Sequence, residues 1–99
     1  MTGSRIQALG IPWYERDSYK RVLEVMEDAH LLPPTFEAWQ YRAHKTERSG
    51  QITNAVVVRA VIDPDEFVIW CQTRNFKIDA EARMAFANEA AYDAISKTR

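Results

Sequence analysis

Ala55-Val56-Val57-Val58-Arg59-Ala60-Val61-Ile62 is the one stretch of this chain long enough, and rich enough in β-branched side chains, to read as a full strand. Gly50-Gln51 precedes it and Asp63-Pro64 follows. Side-chain alternation puts Val56, Val58, Ala60 and Ile62 on one face and Val57, Arg59 and Val61 on the other. Both faces are mostly apolar, so the strand is expected to be covered on two sides. Its backbone amides and carbonyls also need partners.

The flanking segments read as helices. After the strand, Asp63-Pro64-Asp65-Glu66 supplies a cap, a proline at the first helical position and acids that suit the positive end of the helix dipole. Phe67, Trp70 and Cys71 follow on one stripe, and Asn75 suits a left-handed terminator. Past Phe76-Lys77-Ile78, Asp79 caps a last helix carrying Ala82, Ala85, Phe86, Ala90, Tyr92 and Ile95. Seven alanines between Ala80 and Ala94 give it high helix propensity and allow a close neighbour.

Before the strand, Asp17 or Ser18 caps a helix whose apolar face is Tyr19, Val22, Leu23, Met26 and Ala29, stopped by Pro33-Pro34. A second helix starts at Thr35, carries Phe36, Trp39 and Ala43 on one face with Tyr41 off it, and ends at Ser49-Gly50. The short turn between the two predicts an antiparallel helical hairpin. Residues 1–12, with Gly3, Gly10 and Pro12, read as a flexible or extended leader, and residues 13–99 as a single α+β domain.

The expected fold is therefore α+β and mostly helical, in the order α-α-β-α-α with one main strand at 55–62. Inside the chain, only Ile6–Leu9 and Phe76–Ile78 offer pairing, and each is short. An antiparallel partner from a second copy would pair the whole length across a two-fold axis. A homodimer through strand 55–62 is the leading expectation, and Val58→Pro is expected to break it by removing a ladder amide.

Composition narrows the function classes. The chain has 99 residues, 46% of them hydrophobic and 27% charged, which is ordinary for one globular domain. Thirteen basic against fourteen acidic residues give a formal net charge of -1, which disfavours generic nucleic-acid binding and anionic membranes. A single cysteine, Cys71, excludes an internal disulfide, and the absence of a signal-like start makes the cytoplasm the expected compartment.

Chemistry-bearing motifs are absent. Cys71 lies on an apolar stripe, His30 and His44 do not share a helical face, and Asp63, Asp65 and Glu66 are explained by capping. No glycine-rich phosphate loop, metal-ligand spacing or cofactor motif is present, so neither catalytic residues nor a cofactor is expected. A possible interaction surface comprises Trp39, Tyr41, Arg42, Arg59 and Arg83, facing a protein partner. Arg59 otherwise reads as a salt-bridged strand residue, and Arg83 as the partner of an acid such as Glu66 or Asp79.

Two resemblances add to this reading. The strand, capped helix, turn and helix of residues 54–95 resemble the ribbon-helix-helix DNA-binding family, whose dimers form an intermolecular ribbon. The face that would read bases is Val57, Arg59 and Val61, of which only Arg59 reaches a base edge. Trp13-Tyr14, Leu32-Pro33, Trp39, Asp63-Pro64-Asp65-Glu66-Phe67, Trp70-Cys71, Asp79, Ala82-Arg83 and Phe86-Ala87 together resemble a small bacterial family of uncharacterised proteins. That resemblance implies an architectural role for the tryptophans and caps, and no activity. The functional expectation is a small non-enzymatic binding or regulatory module. A DNA-binding regulator is the alternative, followed by a ligand-binding protein or enzyme with a pocket under the tryptophans.

Overall fold

A computed structural model describes residues 7–97; the expected leader's first six residues lie outside the described residues. The elements are β1 (Ala8–Trp13), α1 (Tyr19–Val25), α2 (Phe36–Ile52), β2 (Val56–Val61), α3 (Pro64–Thr73) and α4 (Ala80–Lys97). Single 3-10 turns at Arg16–Ser18 and Ala29–Leu31 flank α1. The fold is α+β and mostly helical, with one strand more than the sequence suggested.

That extra strand answers the pairing question on one side. β1 and β2 run parallel, with Ala8 opposite Val56, Gly10 opposite Val58 and Trp13 opposite Val61. Residues 8–12 are thus extended, but they belong to the folded unit, and Ile11 among them is buried. Gly10 and Pro12 made this segment look unlike a strand. Each has a reason to be there. A Cβ on Gly10 would fall 2.0 Å from the Ala87 carbonyl oxygen of α4, so only glycine permits that approach. Pro12 is tolerated because its nitrogen points away from β2, as the ladder shows. Val56 N–H donates to Gln7 O (2.7 Å) and Ile62 N–H to Trp13 O (2.8 Å). In a parallel pair this phase turns alternate residues inward, leaving Ala8, Gly10 and Pro12 on the outer edge of β1. By the same alternation Val57, Arg59 and Val61 direct their amides and carbonyls to the outer edge of β2.

The expected two-sided cover is only partly realised: α4 covers one face, while on the α2 side of β2 Arg59 and Val61 stay exposed. α4 packs against both strands on the Gly10 side. α2 packs on the other side, where Gly50 sits so close that a Cβ would meet Leu9 Cδ2 and Val57 Cγ2, each at 2.9 Å. Gly50 therefore does not end α2. The helix runs on to Ile52 and stops at Asn54, whose φ of 64° is left-handed. Asn54 N–H then reaches Gln51 O (3.1 Å) and Ala55 N–H reaches Gly50 O (3.0 Å), satisfying the last carbonyls. α3 ends in the same way at Asn75 (φ 59°), with Phe76 N–H on Cys71 O at 2.9 Å. The Phe76 ring stacks on Trp70 at 5.6 Å, supplying the apolar contact that accompanies such an ending.

Three expected helix starts are realised. Thr35 accepts from Ala38 N–H (3.1 Å), Asp79 from Ala82 N–H (3.3 Å), and Asp63 from the amides of Asp65 (3.0 Å) and Glu66 (3.1 Å). α1, however, ends at Val25 and not at Pro33. Met26 is extended, and Glu27 turns outward to bond Ile78 twice, by its amide (2.7 Å) and its carboxylate (3.0 Å). This clamp fixes α1 to the α3–α4 connection. Leu23 and Ala29 still pack on the core.

Aromatic rings gather in two groups. Trp13, Tyr14, Tyr19, Phe36 and Trp39 interlock between β1, α1 and α2, with Trp13 and Trp39 edge to face at 5.1 Å. Phe67, Trp70, Phe76 and Phe86 form the second group between α3 and α4. On α4 the buried line is Ala82, Arg83, Ala87 and Ala91, while Tyr92, expected on the core face, is 71% exposed.

Candidate functional site

The residues proposed from the sequence as one surface do not form one. Trp39 is 7% exposed and lies inside the first aromatic group. Arg83 is buried on the core face of α4, where its guanidinium grips Asp28 with both nitrogens (2.7 and 2.9 Å) and touches Met26 Sδ at 3.4 Å. Both therefore leave the candidate surface, for the same reason: each sits on the inner face of its helix. The Asp28–Arg83 pair ties the turn after α1 to α4, and the guanidinium holds the Asp28 carboxyl below its usual range. Tyr14 lies in the same region, and burial pushes its hydroxyl up to about 12. Neighbouring Tyr19 donates its hydroxyl to the Pro33 carbonyl at 2.5 Å.

Tyr41, Arg42 and Arg59 remain at the surface. Tyr41 projects from α2 with the Lys45 ammonium 5.2 Å from its ring centroid. Arg59 is held firmly. It forms two hydrogen bonds to Glu47 (2.7 and 2.9 Å) and lies 4.0 Å from the centre of the Trp13 ring. Pairing with Arg59 lowers the Glu47 carboxyl, and His44 Nδ1 stands 3.5 Å from the same carboxylate. The guanidinium is thus committed to its own chain. On the Val57–Arg59–Val61 face, which a base-reading ribbon would present to DNA, Val57 packs at Gly50 of α2, and Arg59, though exposed, is bound to Glu47.

The potential nucleophile is equally occupied by packing. Cys71 is fully buried, burial raises its thiol, and its electrostatic neighbours are the acids Asp79 and Glu27. No imidazole stands by it to take a proton. Among the described residues no group of three or more His, Cys, Asp or Glu side chains is placed to hold a metal ion. Nor is any described helix long and apolar enough to cross a membrane.

Two open features remain. The first is the outer edge of β2, where the amides of Val57, Arg59 and Val61 meet no described backbone partner. Val56 and Val61 beside it are 48% and 51% exposed. The second is a cleft of about 370 Å³ lined by Val61, Asp63, Glu66, Phe67, Trp70 and Phe86. It contains one of the three tryptophans, and none of Arg83, His44 and Cys71. Neither feature carries a sequence motif. The first is the border of a single strand, and five of the six cleft residues lie between Val61 and Trp70, with Phe86 of α4 closing the space.

Set against known proteins, the chain matches no family model, no curated protein and no solved structure.

Proposed function

We propose that this chain is a non-enzymatic binding module of the cytoplasm that works as a homodimer, joined by its β2 strands and engaging a protein partner. The open outer edge of β2 carries the reading. Isolated two-stranded sheets are marginal, and parallel sheets usually contain more strands with both faces covered. Here helices pack on both faces, but among the described residues the sheet has only two strands. The two outer edges are unequal. On β1, Pro12 removes an outward donor; on β2, three residues in succession along the edge offer both donor and acceptor, flanked by half-exposed valines. Antiparallel pairing of two β2 edges would give a four-stranded sheet, β1-β2-β2-β1. A centre at Val58 sets Arg59 opposite Val57 of the second copy and avoids an Arg59–Arg59 contact. Tyr41 and Arg42, on the exposed side of α2, are then left free for a partner.

The ladder phase also chooses the test. Val58 points its amide at β1, so Val58→Pro would break the sheet inside one chain and is uninformative about dimers. Val61→Pro removes an outward amide and leaves the β1 ladder intact. Sedimentation at micromolar concentration should return about twice the 11.5 kDa chain mass for the wild type, and one chain mass for Val61→Pro with an unchanged circular dichroism spectrum. A wild-type monomer at that concentration overturns the reading.

A further inference from the structure

We propose that the cleft between the end of β2, α3 and α4 binds an organic cation, a primary ammonium or guanidinium carried on an apolar body. This does not depend on the dimer. Four of its six lining residues, Val61, Phe67, Trp70 and Phe86, are apolar, and three of those present aromatic rings. The other two, Asp63 and Glu66, are carboxylates, and no basic residue lines the space. A volume of about 370 Å³ falls at the lower end of the roughly 300–1,000 Å³ usual for small-ligand sites.

The charges have spare capacity. Asp63 spends one oxygen, Oδ1, on the two amides that start α3, leaving Oδ2 without a hydrogen bond among the described residues. Glu66 has neither an ion pair nor a side-chain hydrogen bond among them. Of the nearby arginines, Arg21 holds Asp65 (2.9 Å), while Arg74, paired with Glu89 (3.5 Å), lies over the Trp70 ring of the cleft itself at 4.4 Å without reaching Asp63 or Glu66. Arg74 shows that the Trp70 ring accepts a cation. Aromatic faces are electron-rich, so rings below and carboxylates at the rim attract the same sign of charge.

The ammonium could come from a free amine or from the lysine side chain of a partner protein, and the experiment separates them. Phenethylammonium, the neutral isostere 2-phenylethanol and a short lysine-containing peptide are titrated into the full chain while the Trp70 indole N–H resonance, assigned with Trp70→Phe, is followed by NMR. Phenethylammonium should shift that resonance saturably and bind about fivefold to tenfold more tightly than the alcohol. Glu66→Gln, at an exposed position, should remove most of that difference without changing the melting temperature. Tighter binding of the peptide than of the amine assigns the site to a protein side chain, and the reverse order to a small molecule. No saturable shift up to about 10 mM cation, or equal affinity for the alcohol, overturns the proposal.

Discussion

Gly10→Ala and Gly50→Ala are the same chemical change on opposite faces of the sheet, and the structure requires opposite outcomes. At Gly10 the added Cβ would stand 2.0 Å from Ala87 O and 2.6 Å from Ala87 C. Carbon and oxygen settle at about 3.3 Å even in a favourable C–H···O contact, so the helix must move by over 1 Å. The obstacle is backbone, which no rotamer change can clear. Lifting α4 by that much forfeits about half of the dispersion contact across this face. Overpacking costs typically 1–3 kcal/mol where side chains can adjust. A backbone obstacle belongs at the upper end, and the smaller unfolded-state entropy of alanine returns at most about 1 kcal/mol. Gly10→Ala should therefore lose about 2–3 kcal/mol, a fall of roughly 8–24 °C in melting temperature for a domain of this size.

At Gly50 the nearest atoms are the tips of Leu9 and Val57, each 2.9 Å away. Those tips can rotate, and alanine is favoured over glycine in a helix by up to about 1 kcal/mol. Gly50→Ala should stay within about 1 kcal/mol of the wild type. Urea and thermal unfolding, followed by circular dichroism and tryptophan fluorescence, measure both. Because the Gly10 obstacle is a carbonyl oxygen, adding Ala87→Gly should not rescue Gly10→Ala. A Gly10→Ala protein as stable as the wild type, or one less harmed than Gly50→Ala, would refute the close approach of α4 to the sheet.

Removing one member of the buried pair, by Asp28→Asn or Arg83→Met, should cost about 3–5 kcal/mol in urea unfolding, with the double variant recovering part of the loss. Since the folded Asp28 carboxyl titrates below its unfolded value of about 3.9, its contribution is complete above that pH and lost as pH falls through the folded value. Wild-type stability should consequently fall more steeply between pH 5 and 2 than that of Asp28→Asn. Asn75→Ala should cost about 1 kcal/mol at its left-handed position, and Asn75→Gly nothing measurable by thermal melting. Thiol reagents should label Cys71 only as fast as the chain unfolds, so rapid labelling in native buffer would contradict its burial.

Local chemistry was legible in the sequence; distant pairing was not. Thr35, Asp63, Asn75 and Asp79 end or begin helices because the backbone demand and the side chain that meets it lie within three residues. β2 was found to within a residue at each end, since β-branched runs leave few alternatives. β1 is hidden in the sequence because Gly10 and Pro12 have poor strand propensity, and what licenses them is an approaching helix and an outward edge. Gly50 resembles a helix end for the same reason: its missing side chain makes room for Leu9 and Val57, which no local pattern shows. Arg83 was expected to meet an acid, but Asp28 lies 55 positions away and no local pattern points to it. Trp39 shares the helical spacing of Phe36 and Ala43, and that spacing is the signal that places it in the core and off the candidate surface. Five of the six cleft residues lie between Val61 and Trp70, but that stretch reads as a strand end and a capped helix, and only its packing against Phe86 makes a cleft of it.

The parallel order of β1 and β2 has a consequence for how the chain reaches this structure. Positions 8 and 56 lie 48 residues apart, and every rung of the ladder spans that same interval. Nothing local rewards its closure, whereas the helices that intervene can form from near-neighbour contacts alone. Sheet assembly should accordingly be a late and slow event, set by chain entropy more than by bond strength. Until it occurs, β2 has both borders unsatisfied, and the lifetime of that intermediate should govern how readily the protein self-associates wrongly during refolding. Refolding yield should then depend on protein concentration far more than the stability of the finished molecule does.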